Sequence, residues 1–116
     1  MAERRRTFKV GERVQQVVAR ELMRLSDPRL IMVTITGVVV SSDMRNAKIY
    51  FVASGGPERV EEVARALEGA SGSFRTALAK ELKLRFTPTL RFYFDDTLDV
   101  QENVAHLLAK IKHAEV

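Results

Sequence analysis

The segment Gly69-Ala70-Ser71-Gly72 constrains this chain most, because it interrupts two apolar repeats that lie on either side of it. Val60, Val63, Ala64 and Leu67 recur at helical spacing before it, and Phe74, Ala77, Leu78 and Leu82 after it. Glycine costs about 1 kcal/mol relative to alanine inside a helix. Two glycines three residues apart therefore predict a kink between two helices. Beyond the second helix, Leu90-Arg91-Phe92-Tyr93-Phe94 alternates as a strand. A helical crossover of this kind returns the chain parallel to the strand before it. The second helix, from about Ser73, carries Arg75, Lys80 and Lys83, with Arg85 just beyond and only Glu81 opposing them. Ser71 and Gly72 stand at its start, and a helix N-terminus followed by cationic side chains suits a phosphate backbone.

The preceding residues supply the rest of a sheet and one more helix. Residues 1–9 contain Arg4, Arg5, Arg6 and Lys9 and read as a flexible basic N-terminal arm; residues 10–113 read as a single domain. A first helix is expected from about Gly11 to Leu25, with Val14, Val17, Val18, Leu22 and Leu25 toward the core. Arg13, Arg20 and Arg24 fall close together on another face, since successive residues turn by roughly 100°. Ser26-Asp27-Pro28-Arg29 ends this helix, because proline disfavours helical backbone at the residue before it. Ile31 to Val40 and Asn46 to Val52 read as an antiparallel hairpin. In it Val33, Ile35 and Val39 face inward, as do Ile49 and Phe51. The outer face then holds Lys48, Tyr50, Arg91 and Tyr93. It reads as an ordinary exposed sheet face, with base stacking as the alternative. Asp95-Asp96-Thr97-Leu98-Asp99 is expected to start a final helix, in which Val100, Val104, Leu107, Leu108 and Ile111 repeat.

The pattern is α-β-β-α-kink-α-β-α, an α+β domain with a three-stranded mixed sheet and helices packed on one face. Charge then narrows function. The net charge of +4 is unevenly placed: residues 1–30 hold eight Lys/Arg against four Asp/Glu, and residues 71–92 five against one. If these two segments meet in space they form one cationic patch that suits a polyanion. There is no cysteine, so disulfide and thiolate chemistry are excluded. No apolar run reaches the roughly 18 residues of a membrane span, and the charged start leads into no signal region, so a cytoplasmic protein is expected. Asp95, Asp96 and Asp99 suit the capping of a helix start better than a metal site. His106 and His113 lack a partner pattern, and no nucleophile–base pair or phosphate-binding glycine loop occurs, so neither an enzyme nor a cofactor is expected.

Several motifs occur together in order: Asp27-Pro28-Arg29, Val33-Thr34-Ile35-Thr36-Gly37-Val38, Ala47-Lys48-Ile49-Tyr50-Phe51, Ala70-Ser71-Gly72 followed by Arg75, Leu84-Arg85-Phe86-Thr87-Pro88, and Asp95-Asp96-Thr97. On these the chain resembles the ribosome-binding factor A family over roughly residues 4–112, and its element order looks like a type II KH domain. In that family an Ala-x-Gly kink replaces the Gly-x-x-Gly loop of KH domains, and Ala70, Ser71 and Gly72 match it. The resemblance implies a monomeric, bacterial, cytoplasmic assembly factor that takes no small-molecule substrate and no membrane. Its partners would be the small (30S) ribosomal subunit and 16S rRNA, with a role in late maturation and 5′-end processing of the precursor. The RNA-contacting residues expected here are Arg4, Arg5, Arg6, Lys9, Arg13, Ser71, Gly72, Arg75, Lys80, Lys83 and Arg85. The alternative is a protein-docking module whose basic surfaces are non-specific.

Overall fold

The computed structural model describes residues 2–96. Helix α1 spans Ala2–Arg24, so residues 2–9, expected as an arm before a helix starting near Gly11, form its first two turns. Val14, Val17, Val18 and Leu22 are buried along one side of it. Gly11 lies inside the helix, and a Cβ there would come within 3.2 Å of the Val38 carbonyl oxygen. Its missing side chain is what lets α1 cross the sheet so closely. A single 3-10 turn, Pro28–Leu30, follows. Asp27 caps it, accepting the Arg29 N–H at 2.9 Å and the Arg29 guanidinium at 2.6 to 3.1 Å.

Strands β1 (Val33–Val40) and β2 (Asn46–Ala53) pair antiparallel, and β3 (Thr89–Phe94) pairs parallel with β2, giving the order β1-β2-β3. The mixed sheet and the parallel return are as expected. The inner face of β1 is not. A bulge between Ile35 and Gly37 inserts one residue, so Val38 and Val40 pair with Ile49 and Ala47 and point inward after Ile35. Val39, expected in the core, is 57% exposed. An extra residue in one strand reverses the alternation beyond it, and that is the physical reason for the correction.

Between β2 and β3 run α2 (Pro57–Gly69) and α3 (Ser71–Glu81), separated by Ala70 alone. The Ala70 N–H reaches back to the carbonyls of Ala66 and Leu67 at 3.1 Å, while its own carbonyl accepts the Phe74 N–H at 3.2 Å. The bend is thus hydrogen-bonded from both sides, with no loop between the helices. Gly69 is the last residue of α2, which fits the Ala-x-Gly reading over a Gly-x-x-Gly loop. All three helices lie on one face of the sheet. Phe51, Ile49, Phe74, Leu67, Leu78, Val63 and Val14 are fully buried between them. Phe74 of α3 meets Phe92 of β3 with ring centroids 5.7 Å apart. This is the expected α+β arrangement. The expected final helix, with Val100 to Ile111 and both histidines, lies outside the described residues.

Candidate nucleic-acid interface

The two basic segments of the sequence meet. α1 packs against α3, and two concavities mark the ends of their shared surface. At one end Arg6 of α1 shares a depression with Arg45, Lys83, Arg85 and Phe86. At the other, Arg20 and Arg24 of α1 share a groove with Gly72, Ser73, Thr76 and Lys80 of α3. Along α1 itself, Arg6, Lys9, Arg13, Arg20 and Arg24 are exposed. Their spacings of three, four, seven and four residues keep them on one stripe about 27 Å long.

The depression is built by the β1–β2 turn. The Ser41 hydroxyl donates to Asp43 at 2.6 Å, the Arg45 N–H donates to the same carboxylate oxygen at 3.1 Å, and the Asn46 N–H donates to the Ser41 hydroxyl oxygen at 3.0 Å. Met44 takes the left-handed backbone that closes this turn, with φ 60°. The Ser41 hydroxyl and the Arg45 N–H hold the Asp43 carboxyl below its ordinary range, so it stays ionised. The turn aims Arg45 at Phe86, its guanidinium carbon 5.2 Å from the ring centroid; that of Arg85 is 5.5 Å away. Phe86 is 52% exposed, an aromatic surface in contact with two cations in an open basic hollow.

The groove is less simply positive. Arg20 pairs with Glu81, and Arg24 stands 3.8 Å from Glu21, so each contributes less charge than its residue type suggests. Lys80 has no carboxylate partner among the described residues. Gly72 is exposed, with nothing within 4 Å of where its Cβ would be, and no side chain caps the start of α3. Backbone and small side chains (Gly72, Ser73) therefore form the floor between cations.

The expected site residues divide accordingly. Arg6, Lys83 and Arg85 come together; Gly72 and Lys80 join Arg20 and Arg24; Lys9 and Arg13 link the two ends. Arg4 and Arg5 occupy the first turn of α1. Ser71 begins α3 beside the groove. Arg75 stands apart, its guanidinium donating to the Thr87 carbonyl at 3.3 Å, which ties α3 to the segment leading into β3. Four contributors were not expected as site residues. Arg20 and Arg24 lay on the recognised α1 stripe, and charge periodicity was signal enough for them. Arg45 and Phe86 carry no such signal, since they meet only because the β1–β2 turn abuts the segment after α3. Among the described residues no three His, Cys, Asp or Glu gather as a metal site, and no helix is long and apolar enough to cross a membrane.

Comparison with known proteins bears on the same residues. A family model described as ribosome-binding factor A matches residues 6–108. The chain is 36% identical over 116 residues to ribosome-binding factor A of Thermobifida fusca, covering 99% of this chain and 77% of that protein. The crystal structure of ribosome-binding factor A from Thermus thermophilus superposes with a TM-score of 0.70 at 28% identity, over 76% of this chain and 93% of that one. A homology model of Thermus thermophilus ribosome-binding factor A, as fitted into the cryo-electron-microscopy map of a 30S complex, superposes with a TM-score of 0.61 at 29% identity, over 73% of this chain and 90% of that one.

Proposed function

Because the chain belongs to the ribosome-binding factor A family, we propose that it binds the immature small ribosomal subunit in the cytoplasm. It contacts 16S rRNA as a monomer and assists late maturation, including processing of the 5′ end of the precursor. The observation that carries this reading is the convergence of Arg6, Lys83 and Arg85 at one end of α1, and of Arg20, Arg24 and Lys80 at the other. Two charge excesses far apart in sequence form one elongated cationic surface on α1, α3 and the segment just after α3, which is what a phosphate backbone requires. A relative with the same fold has been fitted into a 30S complex, which supports the same partner. No step of the mechanism is covalent. Binding favours one rRNA conformation over another, and the size of that preference is the difference in affinity for the two.

Sedimentation with precursor and mature small subunits over a range of salt tests the proposal. Saturable binding to the small subunit is expected, lost in the Arg24→Glu/Lys80→Glu/Lys83→Glu variant. Equal, salt-labile binding to large subunits as well would reduce the surface to general polyanion affinity. A partner that survives RNase would replace RNA with protein.

A further inference from the structure

The helices cover one face of the sheet, and the other face carries an arrangement that the helical surface does not explain. Lys48 and Arg91 sit directly opposite each other across β2 and β3, and Tyr50 and Tyr93 sit opposite each other one step further along the same face. Like charges in register repel, and neither Lys48 nor Arg91 has a carboxylate partner among the described residues. A bound anion would relieve that repulsion. The tyrosine rings lie 5.9 Å apart at 35°, so each leaves much of its surface free, and Tyr93 is 40% exposed. On its other side Tyr50 faces Gly37, where a Cβ would meet nothing within 4 Å. The result is a hollow lined by Gly37, Val39, Tyr50 and Phe94, with Asp95 and Asp96 completing its rim beyond the end of β3. A glycine within a strand marks a bulge or a place where a ligand comes close. The bulge ends at this residue, and the open space beside the ring serves the second purpose.

We propose that this outer face holds a nucleotide of single-stranded RNA, its phosphate on Lys48 and Arg91 and its base against Tyr50 over Gly37. The two pairs are about 6.8 Å apart along the strands, within the reach of one nucleotide. Charge sets its direction, because the Asp95 carboxylate, which already accepts from the Thr36 hydroxyl at 2.7 Å, and that of Asp96 repel a phosphate. The site continues the helical surface rather than standing alone. Arg45 and Phe86 share a shallow recess with Thr89, which starts β3 on the same side as Arg91 and Tyr93. A strand leaving the Phe86 hollow thus passes Thr89, then the cations, then the tyrosines. The proposal rests on the RNA-binding reading above, of which it is an extension.

Tyr50 and Tyr93 are the only tyrosines in the chain, so incorporation of 3-fluorotyrosine gives two fluorine signals, both from this face. The probe is a short unstructured cytidine–adenosine RNA, end-labelled so that its binding is followed separately by anisotropy. A saturable ring-current shift of the Tyr50 signal is expected with this RNA and not with an RNA duplex. Gly37→Val fills the open hollow without strain in the strand. It should keep the melting transition yet remove the shift and weaken binding by about tenfold, the weight of one lost base stack. Bound RNA with both fluorine signals unmoved, or a Gly37→Val protein that binds as the wild type does, overturns the proposal and leaves the helical surface intact. No binding of the oligonucleotide also overturns it, whatever the subunit sedimentation gives. A shift produced by polyglutamate and not by RNA would assign the face to an acidic protein segment instead.

Discussion

At the level of single residues, Asp27 is the best-defined electrostatic contact. Its carboxylate is held by the Arg29 side chain first and the Arg29 N–H second, which pulls its pKa below the ordinary 3.8. A depressed pKa stabilises the fold fully above the ordinary value, and the contribution disappears as pH falls through the folded-state value. The difference in melting temperature between wild type and Asp27→Asn should therefore be greatest at neutral pH and shrink below pH 3.8. Gly11 is a steric counterpart. Alanine there gains helix propensity but meets the Val38 oxygen at 3.2 Å, whereas valine adds branches that force α1 off the sheet. Gly11→Val should lose about 1–3 kcal/mol in denaturant titration, as over-packing generally does. Nothing in the sequence distinguishes this glycine from a helix start. It resembles one because the apolar repeat becomes dense only after it, while Arg5, Arg6, Phe8 and Lys9 before it project toward solvent.

Among the elements, the interhelical kink was legible and the bulge was not. Two glycines in a helical repeat announce a break, and the bend indeed falls at Ala70 between them. In β1, by contrast, Val38, Val39 and Val40 are equally apolar in either parity, so the sequence is silent on which of them turns inward. The inserted residue decides it, and the hydrogen bond from Thr36 to Asp95 at 2.7 Å, across the outer face, shows where that residue goes. The same limit explains why Arg45 and Phe86 were missed. Their contact depends on a register between a turn and a segment about 40 residues away, which periodicity cannot reveal. Two consequences belong to this scale. Glu81 neutralises Arg20 across the α1–α3 groove. Glu81→Gln should tighten small-subunit binding at low salt while costing less than about 1 kcal/mol of stability, the usual worth of an exposed pair. On the outer face, Lys48→Glu converts a repulsive cross-strand pair into an attractive one. It should raise stability by about 0.2–1 kcal/mol while weakening single-stranded RNA binding, an opposition that parallel melting and anisotropy measurements would register.

The molecule as a whole presents its cations on an extended surface, so its affinity should depend steeply on salt. Each phosphate neutralised contributes about 0.7–0.9 to the slope of log K against log salt. Arg24→Glu/Lys80→Glu/Lys83→Glu should flatten that slope by about 2–3. The fold class and the two basic segments were readable from sequence, since both depend on local pattern. That the segments meet was not, because it depends on α1 and α3 packing side by side on the sheet, a contact between elements far apart in sequence. The two-helix crossover to β3 has an entropic side as well. The β1–β2 hairpin closes over a few residues, whereas β3 pairs with β2 across a connection of about 35 residues, whose closure costs more entropy. Arg6 precedes Lys83 and Arg85 by about 80 residues in sequence, yet the three line one depression. A partly folded chain therefore has half of this surface at best, and, on the reading proposed above, engagement with RNA would double as a test of whether that long-range packing is complete.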